Sequence, residues 1–320
     1  MVTPLLSVFV ITYKQEDYIE QAIRSILNQE TRFDFELIIS NDCSPDNTST
    51  VIQSIMSNHS RGSVMRYFEH KENLGMYGNF MFALNQCQGK YVAICEGDDY
   101  WTDSLKLQKQ VDFLEANSDY EVCFTNTQIV DSQNQVVKAA LFKQSLTDIF
   151  VTKNLPNWAP TLTRVFKNRD FSTLPSAPGL DSVMLLWQSR FGKIKLLNEV
   201  TAAYRLHDGG VYSSINEAKK KAHILQTTLV SLELIPEDLM SRYFGKLFKM
   251  LVALRFLDMD LFLANREQVY KASKRYSQQL PFALRIKIWF SLIIVSFPFL
   301  TTFKALESKV LKVLNHLFIY

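Results

Sequence analysis

Three carboxylates lie within four positions of this sequence, in the stretch "EGDD". Glu96, Asp98 and Asp99 directly follow the apolar run at residues 91–95. Carboxylates at such short spacing repel one another, and a nearby divalent cation would relieve that repulsion. Hard oxygen ligands favour Mg²⁺ or Mn²⁺, and Mg²⁺ usually completes its shell with water and substrate phosphates. A metal site is one interpretation, and a solvated acidic turn before a helix near Asp103 is the other.

The elements around this cluster alternate between strand-like and helical patterns over the first 127 residues. Short apolar runs rich in β-branched residues are separated by segments whose apolar residues recur at helical spacing. The predicted strands are residues 7–12, 36–40, 64–70, 91–95 and 121–126. Such alternation is typical of βαβ units, so we predict an α/β fold with a mostly parallel sheet flanked by helices.

Polar residues follow four of the predicted strands. They are Thr12 and Tyr13 after the first strand, Asn41 and Asp42 after the second, the turn "KENLG" with Asn73 and Gly75 after the third, and the acids after the fourth. In open α/β sheets, ligands bind outside the carboxyl ends of the strands. A loop can be polar merely because it is exposed, but four such loops in a row predict a binding cleft.

The chain changes character after this alternating part. Residues 128–215 are less regular and carry prolines that break long elements, and a helical pattern begins at Asn216. Residues 216–320 contain 16 Lys and Arg against 8 Asp and Glu, whereas residues 1–215 contain 19 against 24. We therefore predict a catalytic α/β domain at 1–215 and a helical, basic and apolar region at 216–320.

Residues 288–303 form a run of 16 residues without a charge, flanked by Arg285, Lys287 and Lys304. A bilayer-spanning helix needs roughly 20 apolar residues, and this run also contains Pro298. A basic, apolar and short segment is typical of a helix lying in a membrane interface, where anionic lipid attracts Lys and Arg. A helix packed on the catalytic domain would have the same pattern. Nothing in the sequence has the spacing of a nucleic-acid-binding motif.

The compartment is predicted from the amino terminus and the cysteines. The first apolar run has no basic leader before it, so it is typical of a strand and not of a secretory signal. The four cysteines form no C-x-x-C pair, which favours reduced thiols. We expect a cytoplasmic protein, peripheral to the inner face of the cytoplasmic membrane.

Several segments, taken in order, resemble the family 2 glycosyltransferases, inverting enzymes of the GT-A fold. They are "SVFVITYKQEDYIEQAIRSILNQ", "ELIISNDCSPDNT", "NLGMYGNFMFALNQCQGKYVAICEGDDYW" and "YRLHDGG". The resemblance implies a nucleotide-sugar donor, usually a UDP-sugar, together with Mg²⁺ or Mn²⁺. It assigns nucleotide contacts to Thr12, Tyr13, Asp42, Asn73 and Gly75. Asp42 matches the acid that reads the uracil base, with Asn41 where the family usually has a first aspartate.

The acid cluster matches the Asp-x-Asp metal motif of this family. The resemblance implies that Asp98 is the first metal ligand and Asp99 the second. Glu96 stands where an aspartate is usual, so we expect it to contact the donor. Arg205 and His207 match a late motif that approaches the diphosphate, although a lone histidine is more often structural.

Asp181 matches the general base of the family. Inverting transfer is one in-line displacement, and a carboxylate on the acceptor side must take the hydroxyl proton. An N-cap is the alternative role of Asp181, because an apolar-periodic segment follows it. Trp101 matches an aromatic residue that borders the sugar pocket, and core packing explains it equally well.

We therefore predict a metal-dependent inverting glycosyltransferase. It would move a sugar from a nucleotide-diphosphate sugar to a hydroxyl of a glycan or lipid-linked acceptor, as in cell-surface polysaccharide synthesis. One alternative is a membrane-bound scaffold that binds nucleotide sugar without turnover. A sugar nucleotidyltransferase is less favoured, because the loop "TYKQEDYIE" after the first strand has no glycine to cradle phosphates.

Overall fold

The computed structural model describes residues 3–143, 148–155, 159–210, 215–277, 280–286 and 288–289. Its contacts divide the chain into two compact units. The first unit comprises Met1–Thr173 and Gln188–Asp208, and the second comprises Leu174–Trp187 and Gly209–Tyr320. The domain boundary predicted at residue 215 remains a prediction. It did not include the assignment of Leu174–Trp187 to the second unit.

A mixed sheet forms the centre of the first unit. Its strands are β1 (Leu6–Thr12), β2 (Phe35–Asn41), β3 (Met65–Glu69), β4 (Tyr91–Glu96), β5 (Tyr100–Trp101), β6 (Tyr120–Val130), β7 (Val136–Lys138), β8 (Ile149–Phe150), β9 (Val165–Lys167) and β10 (Lys193–Arg205). The order is β3-β2-β1-β4-β9-β6-β10-β5, with β7 on β6 and β8 on β10. Branched apolar residues of β1, β2 and β4 are fully buried, as expected for strands covered on both faces.

The five strands predicted from the sequence are β1, β2, β3, β4 and β6, and all run in one direction. The predicted α/β class is thereby confirmed. The structure adds β9, a strand of three residues that pairs antiparallel with both β4 and β6. It also adds β10, which runs parallel to β6 and reaches Arg205.

Four helices connect the strands of the first unit: α1 (Ile19–Leu27), α2 (Thr48–Asn58), α3 (Gly75–Gln86) and α4 (Lys106–Ala116). In α1 the apolar residues at helical spacing, among them Ile19, Ile23 and Ile26, are fully buried and join the core beneath the sheet. Burying a side chain of this size contributes about 1.5–3 kcal/mol. This core fixes where the loops after the strands begin.

The carboxyl ends of the parallel strands are aligned. Thr12 pairs with Asn41, Asn41 pairs with Glu69, and Ile11 pairs with Glu96. The loops after β1, β2, β3 and β4 therefore leave the sheet side by side, which confirms the predicted alignment.

The second unit contains α5 (Leu180–Gln188) up to Trp187, α6 (Glu217–Ser231), α7 (Met240–Leu257) and α8 (Met259–Ser277). Asn216 caps α6, because its side chain accepts a hydrogen bond from the Lys219 amide at 2.9 Å. The helical C-terminal region is confirmed for the described residues. In this part of the chain, no helix combines the length and apolarity that crossing a membrane requires. Most of the predicted interfacial run at 288–303 lies outside the described residues.

A lysine is buried at the start of α4. Lys106 is fully buried, its Nζ donates to Gln110 Oε1 at 2.8 Å, and the same nitrogen lies 4.2 Å from the centre of the Trp101 ring. Trp101 is itself buried and donates from Nε1 to the Leu162 carbonyl at 2.8 Å, so it packs in the core. Burial lowers the pKa of Lys106 to about 7, since desolvation disfavours the ammonium form.

This buried amine predicts a pH-dependent difference in stability between the wild type and Lys106→Met. Between about pH 7 and about pH 10, an unfolded chain keeps its Lys106 proton and the folded chain loses it. The free energy of unfolding of the wild type should therefore rise with pH relative to the variant, by up to about 1.4 kcal/mol per pH unit. Urea denaturation of both proteins across this range measures the difference. A constant difference would contradict a deprotonating Lys106.

Candidate functional site

The acid loop, residues 96–99, is a tight turn at the end of β4. The Asp99 amide donates to the Glu96 carbonyl at 3.1 Å, and the Gly97 amide donates to the Ile11 carbonyl at 3.1 Å. A Cβ at Gly97 would lie 2.4 Å from Gln15 Oε1 and 2.9 Å from Thr12 Oγ1, so a larger residue here would require these side chains to shift. Glu96 is the half-buried last residue of β4.

The end of β10 and the residues after it meet the acid loop. Asp98 Oδ2 lies 3.0 Å from His207 Nε2. Asp99 Oδ1 accepts the Arg205 backbone N–H at 2.8 Å, and Arg205 Nε donates to the Asp98 carbonyl at 2.8 Å. Two predicted site residues of the acid loop, Asp98 and Asp99, thus meet two that lie more than a hundred positions later, Arg205 and His207.

The Arg205 guanidinium is almost entirely enclosed by protein. Its two terminal nitrogens donate to Asn134 Oδ1 at 2.9 Å and to Gln21 Oε1 at 2.7 Å. The guanidinium carbon lies 4.7 Å from the Tyr18 ring centre and 5.3 Å from that of Tyr100. Arginine is suited to such a place, because its planar group both stacks and donates in several directions. These four partners had no signal in the sequence.

Asp99 has a perturbed acidity. The residue is 2% exposed, and burial raises its pKa well above the ordinary value, with repulsion from Asp98 and Glu96 adding to the rise. The hydrogen bond from the Arg205 amide opposes that rise. Positive charge close to the loop would favour the carboxylate form.

Asp42 joins the loops that follow β2 and β3. Its Oδ1 accepts the Leu74 amide at 2.6 Å, and its carbonyl accepts Asn73 Nδ2 at 3.1 Å. Asn73 Oδ1 in turn accepts the Gly75 amide at 3.0 Å, and Gly75 has a φ of 74°, where glycine is favoured. Hydrogen bonds therefore join the loop of Asp42 to the turn of Asn73 and Gly75, and their assignment to the nucleotide stays a prediction.

Asn41 uses its side-chain amide as a hydrogen-bond donor, which an aspartate at this position could not do. Its Nδ2 donates to Ser49 Oγ at 2.9 Å and to Tyr67 OH at 3.0 Å, while its Oδ1 accepts the Ser44 amide. A carboxylate could only accept hydrogen bonds here. Asn41 thus supports the loop after β2 and leaves Asp42 as the acid of the pair.

The loop after β1 lies against the loop after β2. The Lys14 amide donates to Ser44 Oγ at 3.0 Å and the Gln15 amide to Thr48 Oγ1 at 3.1 Å. Tyr13 is exposed at the loop surface. Thr12 Oγ1 and Gln15 Oε1 are buried without a hydrogen-bond partner among the described residues. Buried polar atoms are normally paired, so these two oxygens are exceptions within the loop after β1.

The family model for glycosyl transferase family 2 matches residues 7–173, which carry β1 to β4 and the acid loop. The chain belongs to glycosyl transferase family 2. Relatives extend the match beyond that segment. The chain is 29% identical over 222 residues to the uncharacterized protein Rv1520 of Mycobacterium tuberculosis, covering 68% of this chain and 63% of that protein. This chain therefore spans less than two thirds of that relative.

A second relative carries a functional description. The chain is 37% identical over 111 residues to TuaG of Bacillus subtilis, a putative teichuronic acid biosynthesis glycosyltransferase, covering 35% of this chain and 42% of TuaG. Among solved structures, S. aureus TarS residues 1–349 in complex with UDP-GlcNAc is similar in fold, with a TM-score of 0.63 at 14% identity. That similarity covers 97% of this chain and 90% of the TarS chain.

In this member of glycosyl transferase family 2, Asp181 lies in the second unit, in the first turn of α5. A carboxylate in the first turn interacts favourably with the positive end of the helix dipole, and this holds for any other role of Asp181. The start of α5 is held by α6, because the Gly179 amide donates to Thr227 Oγ1 at 3.0 Å. Burial lowers the pKa of His223, and the negative charge of Asp181 opposes that shift. Thr227 and His223 therefore lie near the start of α5, and neither was singled out from the sequence.

Asp98 and His207 are the side chains best placed to hold a cation. A carboxylate oxygen and an imidazole nitrogen are both accepted by Mn²⁺, and carboxylates alone suit Mg²⁺. Across the described residues, no group of three or more His, Cys, Asp or Glu side chains is arranged to hold a metal ion by itself.

The enclosure of Arg205 predicts a local effect of Arg205→Lys. Lysine cannot donate at the same time to Asp98, Asn134 and Gln21 in this planar arrangement, so the acid loop should loosen. We expect a loss of about 1–3 kcal/mol in stability and faster hydrogen exchange at the Asp99 and Arg205 amides. Thermal denaturation and hydrogen-exchange mass spectrometry measure the two effects.

Arg169→Lys is the matched control. Arg169 makes two hydrogen bonds to the buried Glu121 and stacks on Phe191, away from the acid loop. It should lower stability without changing exchange at Asp99. Equal exchange in both variants would contradict the role given to Arg205.

Proposed function

We propose that this chain is a metal-dependent inverting glycosyltransferase that uses a UDP-sugar. The acceptor would be a hydroxyl of a glycan or lipid-linked sugar in the synthesis of a cell-surface polysaccharide. The observation that carries the proposal is the contact of Asp98 with His207. The UDP-GlcNAc in the TarS structure supports the donor. The description of TuaG as a putative teichuronic acid biosynthesis glycosyltransferase supports the product class.

The nucleotide would lie along the loops after β1, β2 and β3. Asp42 uses Oδ1 to hold the turn, and we assign its other oxygen to the N3–H of uracil. Exposed Tyr13 offers a ring for the base to stack on. Thr12 and Gln15 offer buried oxygens that a ribose hydroxyl or a water could reach.

Asp98 and His207 would hold Mg²⁺ or Mn²⁺ together with diphosphate oxygens of the donor. The cation would supply stabilisation of the negative charge on the leaving diphosphate. We assign Asp99 and Arg205 to holding Asp98 in place, because their polar groups are occupied by protein. Glu96 borders the same loop and would contact the donor.

Asp181 would act as the general base. As the acceptor oxygen attacks the anomeric carbon, its hydroxyl proton passes to the Asp181 carboxylate and the bond to the diphosphate breaks. Attack from the face opposite the diphosphate inverts the configuration. The Gly179–Thr227 contact fixes the start of α5, which limits the motion of Asp181.

Asp98→Asn should lower sugar transfer and donor hydrolysis at least about a hundredfold, since it weakens stabilisation of the leaving group. A screen of UDP-, GDP- and dTDP-sugars with Mn²⁺, read as nucleotide release, measures this loss and identifies the donor. Asp112→Asn is the control, because Asp112 is an exposed acid of α4 paired with Arg32. Full turnover by Asp98→Asn would overturn the site assignment.

Asp181→Asn should lower kcat by about a hundredfold or more while leaving UDP affinity unchanged, because a general base acts only during transfer. Asp260→Asn is the control, since Asp260 also lies in the first turn of a helix of the second unit. Steady-state kinetics and calorimetric UDP binding separate the two effects. A wild-type protein that binds UDP with Mn²⁺ but neither transfers nor hydrolyses any donor would support the scaffold alternative.

We also propose that the chain works at the inner face of the cytoplasmic membrane. The excess of Lys and Arg in residues 216–320 supports this location, because the anionic cytoplasmic leaflet attracts basic segments.

A further inference from the structure

One aromatic ring, that of Tyr18, contacts both Arg205 and His207. Its centre lies 4.7 Å from the Arg205 guanidinium carbon and 4.8 Å from the centre of the His207 imidazole, with 57° between the two ring planes. A guanidinium over an aromatic ring and a tilted pair of rings are both favourable arrangements. Tyr18 therefore touches the two residues that meet the acid loop from the end of β10.

The backbone of Tyr18 is held where α1 begins. The Tyr18 amide donates to the Gln15 carbonyl at 3.0 Å, and the Tyr18 carbonyl accepts the Ala22 amide at 3.3 Å. The next residue, Ile19, is fully buried in the core beneath the sheet. Only two side-chain torsions separate the Tyr18 ring from this anchored backbone. The ring therefore offers Arg205 and His207 a surface with little freedom to move.

The His207 imidazole must be oriented before it can share a cation with Asp98. Its Nε2 lies 3.0 Å from Asp98 Oδ2, and the His207 side chain is 9% exposed. The outer torsion of a histidine side chain is broad, so contact with one oxygen leaves the plane of the ring free to turn. Because Tyr18 lies against the ring itself, it restricts that rotation.

Tyr18 also acts on the acid loop through Arg205. The Arg205 Nε donates to the Asp98 carbonyl, and the same guanidinium lies against the Tyr18 ring. The backbone of Asp98 and the imidazole that faces its carboxylate are thus both supported by one aromatic side chain. All of these residues belong to the first unit of the chain.

We propose that Tyr18 is a positioning residue that holds the His207 imidazole toward Asp98 for cation binding. This inference rests on the proposed function, in which Asp98 and His207 hold Mg²⁺ or Mn²⁺. The cation itself is not assigned to Tyr18. Loss of a residue that orients a metal ligand typically costs about 10–100-fold in metal affinity or activity. Both contacts are made by the ring, so the hydroxyl is not required.

Binding of Mn²⁺ by the full chain in the presence of UDP tests this role. Electron paramagnetic resonance measures the free Mn²⁺ and so gives the affinity without turnover. Tyr18→Leu should bind Mn²⁺ about tenfold more weakly than the wild type or worse, because leucine has no planar ring. Tyr18→Phe keeps the ring and should bind Mn²⁺ as the wild type does. Equal affinity in Tyr18→Leu and the wild type would overturn the proposal.

Tyr120→Leu is the matched control. The Tyr120 ring lies 4.9 Å from the Phe113 ring and 5.7 Å from Lys193 Nζ, so it also combines an aromatic and a cationic contact. Tyr120 begins β6, at the end of the sheet opposite to the acid loop. This variant should lose stability and keep its Mn²⁺ affinity. If it lost as much affinity as Tyr18→Leu, a general loss of stability would explain both results and the proposal would be wrong.

The nuclear magnetic resonance signal of the His207 Cε1–H tests the ring contact without any cation. The Tyr18 ring shifts this signal in the wild type, and His207→Gln identifies the signal by its disappearance. Tyr18→Leu should move the signal, whereas Tyr18→Phe should keep it close to its wild-type position. A signal that does not move in Tyr18→Leu would contradict the contact, whatever the result of Mn²⁺ binding.

Nucleotide release from the donor separates this proposal from the enzymatic one. The Mn²⁺ concentration for half-maximal release should rise in Tyr18→Leu by the same factor as the Mn²⁺ dissociation constant. A lower maximal rate with an unchanged Mn²⁺ requirement would overturn the positioning role alone. A wild type that binds no Mn²⁺ with UDP would instead overturn the metal site of the proposed function, and the role of Tyr18 with it.

Discussion

The site depends on the contact between the acid loop and the end of β10. Arg205 donates its backbone N–H to the Asp99 carboxyl and its Nε to the Asp98 carbonyl, so one residue fixes both sides of the loop. The loop alone would hold clustered carboxylates in an exposed turn, where repulsion favours many conformations. The guanidinium between Tyr18 and Tyr100 removes that freedom and leaves the Asp98 side chain directed to His207.

This contact requires the end of β10 to lie close to the acid loop. The position of β9 in the sheet allows this, because it sets the direction of the strands that follow. β9 lies antiparallel between β4 and β6, so β6 and β10 continue the direction of β4 while standing farther along the sheet. The short strand β5, which begins one residue after the acid loop, then pairs antiparallel with β10 at Ala202 and Ala203. Pairing with β5 therefore brings the end of β10 to the acid loop. Arg205 lies two residues after Ala203, the last β10 residue of that pairing.

The sequence predicts the parts of this arrangement that depend on local patterns. The strands β1 to β4 and β6 follow from apolar runs, and the helices between them follow from helical spacing, because burial imposes both periods. Arg205 and His207 were identified through family resemblance. Gln21 and Asn134 were not predicted, since their contacts with Arg205 join residues 184 and 71 positions apart. β9 was not predicted either, because three residues carry too little pattern and its pairing is wholly non-local.

Burial explains why neighbouring acids have different parts in the site. Asp99 is almost fully buried and its carboxyl is used by a backbone N–H, so it can hold the loop but is poorly placed to exchange ligands. The Asp98 side chain keeps 20% of its surface exposed and faces an imidazole that is also partly exposed. A ligand that arrives from solution can therefore reach Asp98 at a smaller cost in desolvation and rearrangement than Asp99. Asp98 is thus the more accessible of the two carboxylates, and its role as a metal ligand stays a prediction.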